Sequence, residues 1–206
     1  MNTDSVFLYG EINLPTIPEE LLSSIDQLTV TIDNADIGYG LTHVKDGRTL
    51  VNCKFNHSVT TDNQLISWLS KRVPGAKQLE KVSIQEQSPG THIVHSDIRR
   101  ALALNYMIST GGDNVINNWY QEKNMPLRRS KIIKGRQADT GAVKYEDLEL
   151  LDSTKLEKNK WYLIATDILH DVDFITSTRK SVSISFDNYS ILQMLQKFNL
   201  IKDHND

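Results

Sequence analysis

The chain has 206 residues, 39% of them hydrophobic and 24% charged, with a formal net charge of −3. That length suits one domain with a sizeable core, and the composition is that of an ordinary globular protein. The slightly acidic balance excludes a broad basic footprint for nucleic acid, and no stretch is long and apolar enough to span a bilayer as a helix.

From the N-terminus, Val6–Tyr9 reads as a short strand. Thr16 and Glu19 have capping-box spacing, with Pro18 in the first turn, and predict a helix running towards Asp26. Leu41–Val44 and Arg48–Phe55 flank Asp46-Gly47, a dipeptide suited to a tight hairpin. Thr61 and Gln64 repeat the capping spacing and predict a second helix over Asn63–Val73, stopped by Pro74-Gly75. Val82–Gln87 and Thr91–His95 flank another turn, Ser88-Pro89-Gly90. Further strands are predicted at Ala101–Ser109, Val115–Gln121, Lys160–Ile168 and Arg179–Phe186. Pro126–Ser153 reads as one or two strands and a long loop. A third helix from about Asn188 to Leu200 carries Ile191, Leu192, Leu195 and Phe198 at helical spacing.

No internal repeat or long linker interrupts this order, so residues 1–206 form one expected domain. Its expected core spans about 80–187, with an N-terminal extension over 1–80 and a C-terminal helix over 188–200. The lone Cys53 allows no intrachain disulfide, and MNTDSVFLYGEINLP lacks the basic and apolar regions of a secretory signal, so a reducing, cytoplasmic setting is expected.

Alternation along the last strand is informative. Arg179, Ser181, Ser183 and Ser185 share one face; Lys180, Val182, Ile184 and Phe186 share the other. In a barrel that holds a ligand, the small polar face looks inward and the apolar face packs under outer helices. Ala101–Ser109 divides similarly, with Ala101, Ala103 and Asn105 on one side and Leu102, Leu104, Tyr106 and Ile108 on the other.

The candidate chemistry lies in THIVHSD and ILHDVD. His95 and Asp97 are two apart at a strand end, so both point to one side. His170 follows 75 residues later, enough chain to travel round a barrel and return. Two imidazoles and a carboxylate form the facial set that holds Fe(II) and leaves open positions. Arg179, with Ser181 on the same face, supplies a fork for a carboxylate, so the site is expected to admit a carboxylate co-substrate and O2. Alone, a His-x-Asp pair is weak, and the terminal His204-Asn205-Asp206 is a chance example. The ordered set is what carries weight. His92 is expected on the strand face opposite His95, as a core or surface residue. Asp171 and Asp173 are read as loop and turn residues, and Trp119-Tyr120 and Trp161-Tyr162 as core packing. His43 and His57 have no partner pattern.

The order His95-x-Asp97, His170, Arg179-x-Ser181 resembles the motif of the Fe(II)/2-oxoglutarate-dependent dioxygenases over about residues 85–190. THIVHSD, RRALALNYMIS and TRKSVSISF are similar to segments of small prolyl- or aspartyl-hydroxylase-like members. The resemblance implies a mainly β fold with a few flanking helices: the double-stranded β-helix, a jelly-roll, cupin-like barrel. It implies that His95, Asp97 and His170 hold iron, and that Arg179 grips the distal carboxylate of 2-oxoglutarate with help from Ser181. Asn105 is the expected contact for the proximal carboxylate, with Tyr106 or Arg100 behind it. Prolyl 4-hydroxylases usually place a Lys at the clamp; Lys180 is adjacent here, but alternation puts it on the wrong face. The implied activity is hydroxylation of an unactivated C–H bond, coupled to conversion of 2-oxoglutarate to succinate and CO2. Because Asp97 is present, hydroxylation is favoured over the halogenation of relatives that lack the acid.

The expected substrate is a protein residue, an amino acid or a small metabolite, selected by Asn34–Gly40, Gly111–Asn114 and Pro126–Ser153. Two other readings stand beside this one. One is a non-catalytic, cupin-like module that senses or carries a carboxylate; the other is a cupin-type metalloenzyme such as an isomerase.

Overall fold

Strand pairing sorts the chain into two facing sheets and a separate hairpin. In the computed structural model, residues 6–25, 29–35, 42–77, 79–97, 100–127, 143–186 and 190–200 are described. Five strands come first: β1 (Tyr9–Ile12), β2 (Thr29–Ala35), β3 (Thr42–Lys45), β4 (Arg48–Val51) and β5 (Phe55–Thr60). Eight more follow: β6 (Val82–Gln87), β7 (Gly90–His95), β8 (Leu102–Thr110), β9 (Ile116–Glu122), β10 (Leu148–Thr154), β11 (Trp161–Ala165), β12 (Leu169–Ile175) and β13 (Arg179–Ser185). The large sheet has the order β1-β11-β8-β13-β6-β5-β2 and the small one β10-β9-β12-β7. From β6 to β13 the chain crosses between the sheets at almost every step, and the neighbouring strands pair antiparallel. That winding is the double-stranded β-helix, as expected. No described helix is long and apolar enough to cross a membrane.

The apolar face of the large sheet forms the main core. Ile84, Leu104, Tyr106, Val182 and Ile184 are buried in one cluster with Leu21 and Ile25 of α1 (Glu19–Ile25), Leu65 and Leu69 of α2 (Asn63–Arg72), and Met194 and Leu195 of α3 (Ile191–Lys197). The helices therefore cover the face that alternation marked as apolar, which turns Ser181, Ser183 and Asn105 to the barrel interior. Leu69 is fully buried, so Leu69→Ala is expected to lower stability by about 2–5 kcal/mol, read as a drop in the urea midpoint.

Several boundaries differ from the sequence reading, each for a local reason. The second helix is capped by Asp62, not Thr61; its carboxylate accepts from the N–H groups of Gln64 and Leu65 at 2.8 and 3.3 Å. Ser190 and Gln193 form the capping box that starts the third helix at Ile191, later than expected. The run Arg48–Phe55 is not one strand. It breaks at Asn52–Lys54, where Cys53 N–H bonds Thr91 O at 2.8 Å, and the chain passes from the hairpin into the large sheet. β2 was not foreseen, and β12 continues well beyond His170. Pro126–Ser153 contains a 3-10 turn at Tyr145–Asp147 and β10; its residues 128–142 lie outside the described residues, as do 36–40 of the first expected substrate loop.

Two glycines are required where they stand. Asp46 and Gly47 adopt φ of 51° and 75°, the left-handed pair that a two-residue hairpin needs between β3 and β4. Gly111 has φ of 85°, and a Cβ there would lie 2.8 Å from the Cβ of Arg179. The loop after β8 thus approaches closely the strand that carries the expected clamp.

Candidate metal centre and anion pocket

β7 and β12 are antiparallel neighbours in the small sheet, and their register sets His95 directly opposite His170. The imidazole centroids are 4.3 Å apart. Asp97 lies two residues past the end of β7, where its N–H is tied to the Thr166 carbonyl at 2.6 Å. One ligand atom from each of His95, Asp97 and His170 falls within 4.8 Å of the others. Residues separated by 75 positions in sequence therefore converge at one point.

The two imidazoles are oriented alike. His95 Nδ1 donates to Ile93 O and His170 Nδ1 to Ile168 O, each at 2.8 Å. A proton held at Nδ1 leaves the Nε2 lone pair for a metal, the usual way an outer partner fixes a ligating ring. Burial, with the neighbouring His95, pushes the His170 pKa down to about 3, so the ring is neutral and ready to ligate. Asp97 stays ionised: burial would raise its pKa, but Arg100, His170 and His95 together hold it below the ordinary carboxylate range. Arg100 Nε donates to its Oδ2 at 2.8 Å and Arg100 Nη1 to Ser183 Oγ at 2.9 Å. Two imidazoles and one ionised carboxylate on one side of a site fit Fe(II).

The depressed His170 value has a consequence for the metal-free protein. Its folded pKa of about 3 lies below the ordinary 6.5, so in that window the unfolded chain binds a proton that the folded chain refuses. Stability from this group is complete above 6.5 and is lost as pH falls towards 3. Urea midpoints of the apoprotein are expected to fall between about pH 7.5 and about pH 5, and His170→Ala is expected to flatten that decline.

Arg179 opens β13, in register with Gln87 of β6. Its Nη1 donates to Gln87 Oε1 at 2.8 Å and its Nη2 to Asn117 Oδ1 at 2.9 Å. Both partners are neutral amides, and among the described residues no carboxylate pairs with the guanidinium. Burial lowers its pKa to about 10, where a buried carboxylate would have raised it. Ser181 is buried two residues on, along the same face. Lys180 points the other way and pairs with Glu86 at 2.9 Å. A desolvated cation without an anion is a site for one.

Of the three residues considered for the other carboxylate, Asn105 faces the interior opposite Ser183, and its Oδ1 is buried without a hydrogen-bond partner. Tyr106 does not reach the site: it is buried on the outer face against Trp161, with its hydroxyl towards Asn159. Arg100 is committed to Asp97 and the serines.

Two expectations are corrected. His92 does not lie opposite His95. The β7–β12 pairing slips between His170/His95 and Val172/His92, so three residues of β7 match two of β12, and this bulge brings the His92 and His95 rings to 4.1 Å. Asp171 and Asp173 are not loop or turn residues. They lie on β12, buried at 0% and 2% exposure on the face away from the metal centre. Asp171 accepts from Asn118 at 2.6 Å, Tyr145 at 2.9 Å, Tyr120 at 3.0 Å and Lys45 at 2.9 Å. Asp173 accepts from Arg48 at 2.8 Å and Thr91 at 3.0 Å. The β3–β4 hairpin is pinned over the small sheet by these pairs. Asp171→Ala leaves Lys45 without its closest anion and is expected to destabilise by about 3–5 kcal/mol, measured by thermal unfolding. Trp119, Tyr120, Trp161 and Tyr162 are all buried, as expected. His57 bonds Ser83 Oγ at 3.0 Å, and His43 meets Tyr145 edge-on at 6.4 Å.

Gln87 and Asn117 were not marked in the sequence as site residues, and Arg100 was considered for the proximal carboxylate rather than as the partner of Asp97. The alternation of β6 would have turned Gln87 inward, but only strand register shows it beside Arg179.

No protein-family model and no curated protein sequence matches the chain. Solved structures similar to it include the epimerase SnoN in complex with Fe3+, alpha ketoglutarate and nogalamycin RO, at 11% identity and a TM-score of 0.43, covering 85% of this chain and 77% of that one. Another is E. coli ycfD, at 12% identity and 0.41, covering 91% and 52%. A third is an oxidoreductase of the 2OG-Fe(II) oxygenase family from Burkholderia pseudomallei, at 9% identity and 0.36, covering 79% and 76%. Strand order and side-chain geometry, rather than these distant likenesses, identify the chain as a double-stranded β-helix that carries a His-Asp-His group able to hold a metal.

Proposed function

We propose that this domain is an Fe(II)- and 2-oxoglutarate-dependent oxygenase that hydroxylates an unactivated C–H bond. The observation that carries this reading is Arg179, a part-buried, desolvated cation with neutral partners, facing the same interior as His95, Asp97 and His170. In it, His95, Asp97 and His170 hold the iron. Arg179 and Ser181 hold the distal carboxylate of 2-oxoglutarate, and Asn105 meets the proximal one. When bound, iron and 2-oxoglutarate supply the oxidising chemistry with O2, giving succinate and CO2. The protein's part is orientation. Carbonyls of Ile93 and Ile168 aim the two imidazoles; Arg100 holds Asp97 ionised; and Gln87 and Asn117 aim the guanidinium. The substrate belongs to small molecules or protein side chains in the cytoplasm; the formal charge of −3 gives nucleic acid no footprint.

Succinate release is the test. Protein loaded with Fe(II) and given 2-oxoglutarate and O2 is expected to form succinate slowly even without a prime substrate. Binding of 2-oxoglutarate with no succinate under any substrate screened would favour a carboxylate-sensing module, which the same pocket also supports. Indifference to 2-oxoglutarate would favour an isomerase-type metalloenzyme.

A further inference from the structure

The ring of His92 sits between two features of the pocket. One face stacks on Phe55 with centroids 5.2 Å apart, the other lies 4.1 Å from His95. Gln87 links it to the clamp, since His92 Nδ1 is 2.6 Å from Gln87 Nε2 while Gln87 Oε1 is 2.8 Å from Arg179 Nη1. A guanidinium has donors and no acceptor, so the amide oxygen must face Arg179 and the amide N–H must face His92. His92 Nδ1 then accepts and carries no proton. The proton of the neutral ring is confined to Nε2.

That Nε2–H bonds no described residue. The buried polar atoms that lack a partner are Asn56 Oδ1 and Asn105 Oδ1 among the described residues, so Nε2 borders accessible space instead. A donor of fixed direction thus stands beside a metal ligand and one side chain away from a part-buried cation. A dicarboxylate reaching from the centre to Arg179 passes it.

We infer that His92 is a binding residue for the dicarboxylate co-substrate, its Nε2–H donating to a carboxylate oxygen, and that Gln87 is a positioning residue that sets its tautomer from Arg179. This rests on the oxygenase reading above. It adds that the clamp acts at two places: directly through the guanidinium, and indirectly by deciding which nitrogen of His92 carries the proton.

The test uses protein loaded with Zn(II), which is diamagnetic and supports no turnover, carrying nitrogen-labelled histidine. Imidazole nitrogen shifts are expected to report His92 as the Nε2–H tautomer, and Gln87→Leu to give a mixture. Addition of 2-oxoglutarate to wild-type protein is expected to shift the His92 Nε2–H resonance, a readout that requires no variant. By calorimetry, His92→Phe is expected to bind 2-oxoglutarate about 10- to 100-fold more weakly, the range for losing a hydrogen bond to a charged group. His92→Gln, which keeps an N–H donor, is expected to recover part of that loss, and Zn(II) affinity to change by no more than about two-fold in either variant, since His92 is not a ligand. An Nδ1–H tautomer in the wild type, or unchanged 2-oxoglutarate affinity in His92→Phe, overturns the inference and leaves the oxygenase reading standing. No 2-oxoglutarate binding by the wild type overturns both.

Discussion

Arg179→Met is expected to weaken 2-oxoglutarate binding by roughly 100-fold or more, because removing one member of a buried, hydrogen-bonded charge pair costs about 2–5 kcal/mol. Metal affinity is expected to stay within about two-fold, since the guanidinium bonds Gln87 and Asn117 and no ligand. The same substitution has an unusual expected effect on the empty protein. A guanidinium held by two amides, with no carboxylate paired to it among the described residues, carries a desolvation penalty that only a bound anion offsets. Methionine of similar length removes that penalty. The thermal midpoint of the apoprotein is therefore expected to hold or rise in Arg179→Met, while the stabilisation that 2-oxoglutarate gives the wild type disappears. A fall in the apoprotein midpoint would mean that Arg179 is a structural cation.

The second large effect belongs to the metal ligands. Loss of an outer partner commonly weakens metal binding about 10- to 100-fold, so loss of a ligand itself is expected to exceed about 100-fold. His170→Ala and Asp97→Ala are both expected to show that loss in competition with a chelator, but to part company in stability. His170 is desolvated and neutral, with its pKa pushed down to about 3, so its removal relieves the apoprotein at mildly acidic pH. Asp97 balances Arg100 across 2.8 Å, so its removal leaves that guanidinium, among the described residues, with the hydroxyls of Ser183 and Ser185 alone. Urea denaturation of the two apoproteins at about pH 5 is expected to rank His170→Ala above Asp97→Ala.

These contrasts show which parts of the site were legible in the sequence. The three donors were, because ligand spacing at strand ends is local: His95 and Asp97 share a side by alternation, and His170 follows an apolar strand. The inward facing of Arg179 and Ser181 was also legible, since strict alternation over seven residues separates an inward from an outward face. What alternation cannot supply is register. Gln87 and Asn117 become partners of Arg179 only because β6, β13 and β9 stand as they do. His92 was misplaced for a related reason: a single bulge in β7 reverses the facing of every residue on one side of it. Asp171 and Asp173 misled differently. Acids just after an apolar strand read as loop and turn residues, and their burial becomes intelligible only once Lys45 and Arg48 arrive from a hairpin more than a hundred residues earlier.

The His-Asp-His centre and Arg179 are expected to serve one bound molecule. Visible spectroscopy of anaerobic protein carrying one Fe(II) per chain tests it directly. A weak metal-to-ligand band is expected on adding 2-oxoglutarate, saturating in the wild type and requiring far more 2-oxoglutarate in Arg179→Met. No band in fully metallated wild type, or an identical titration in the variant, would contradict it.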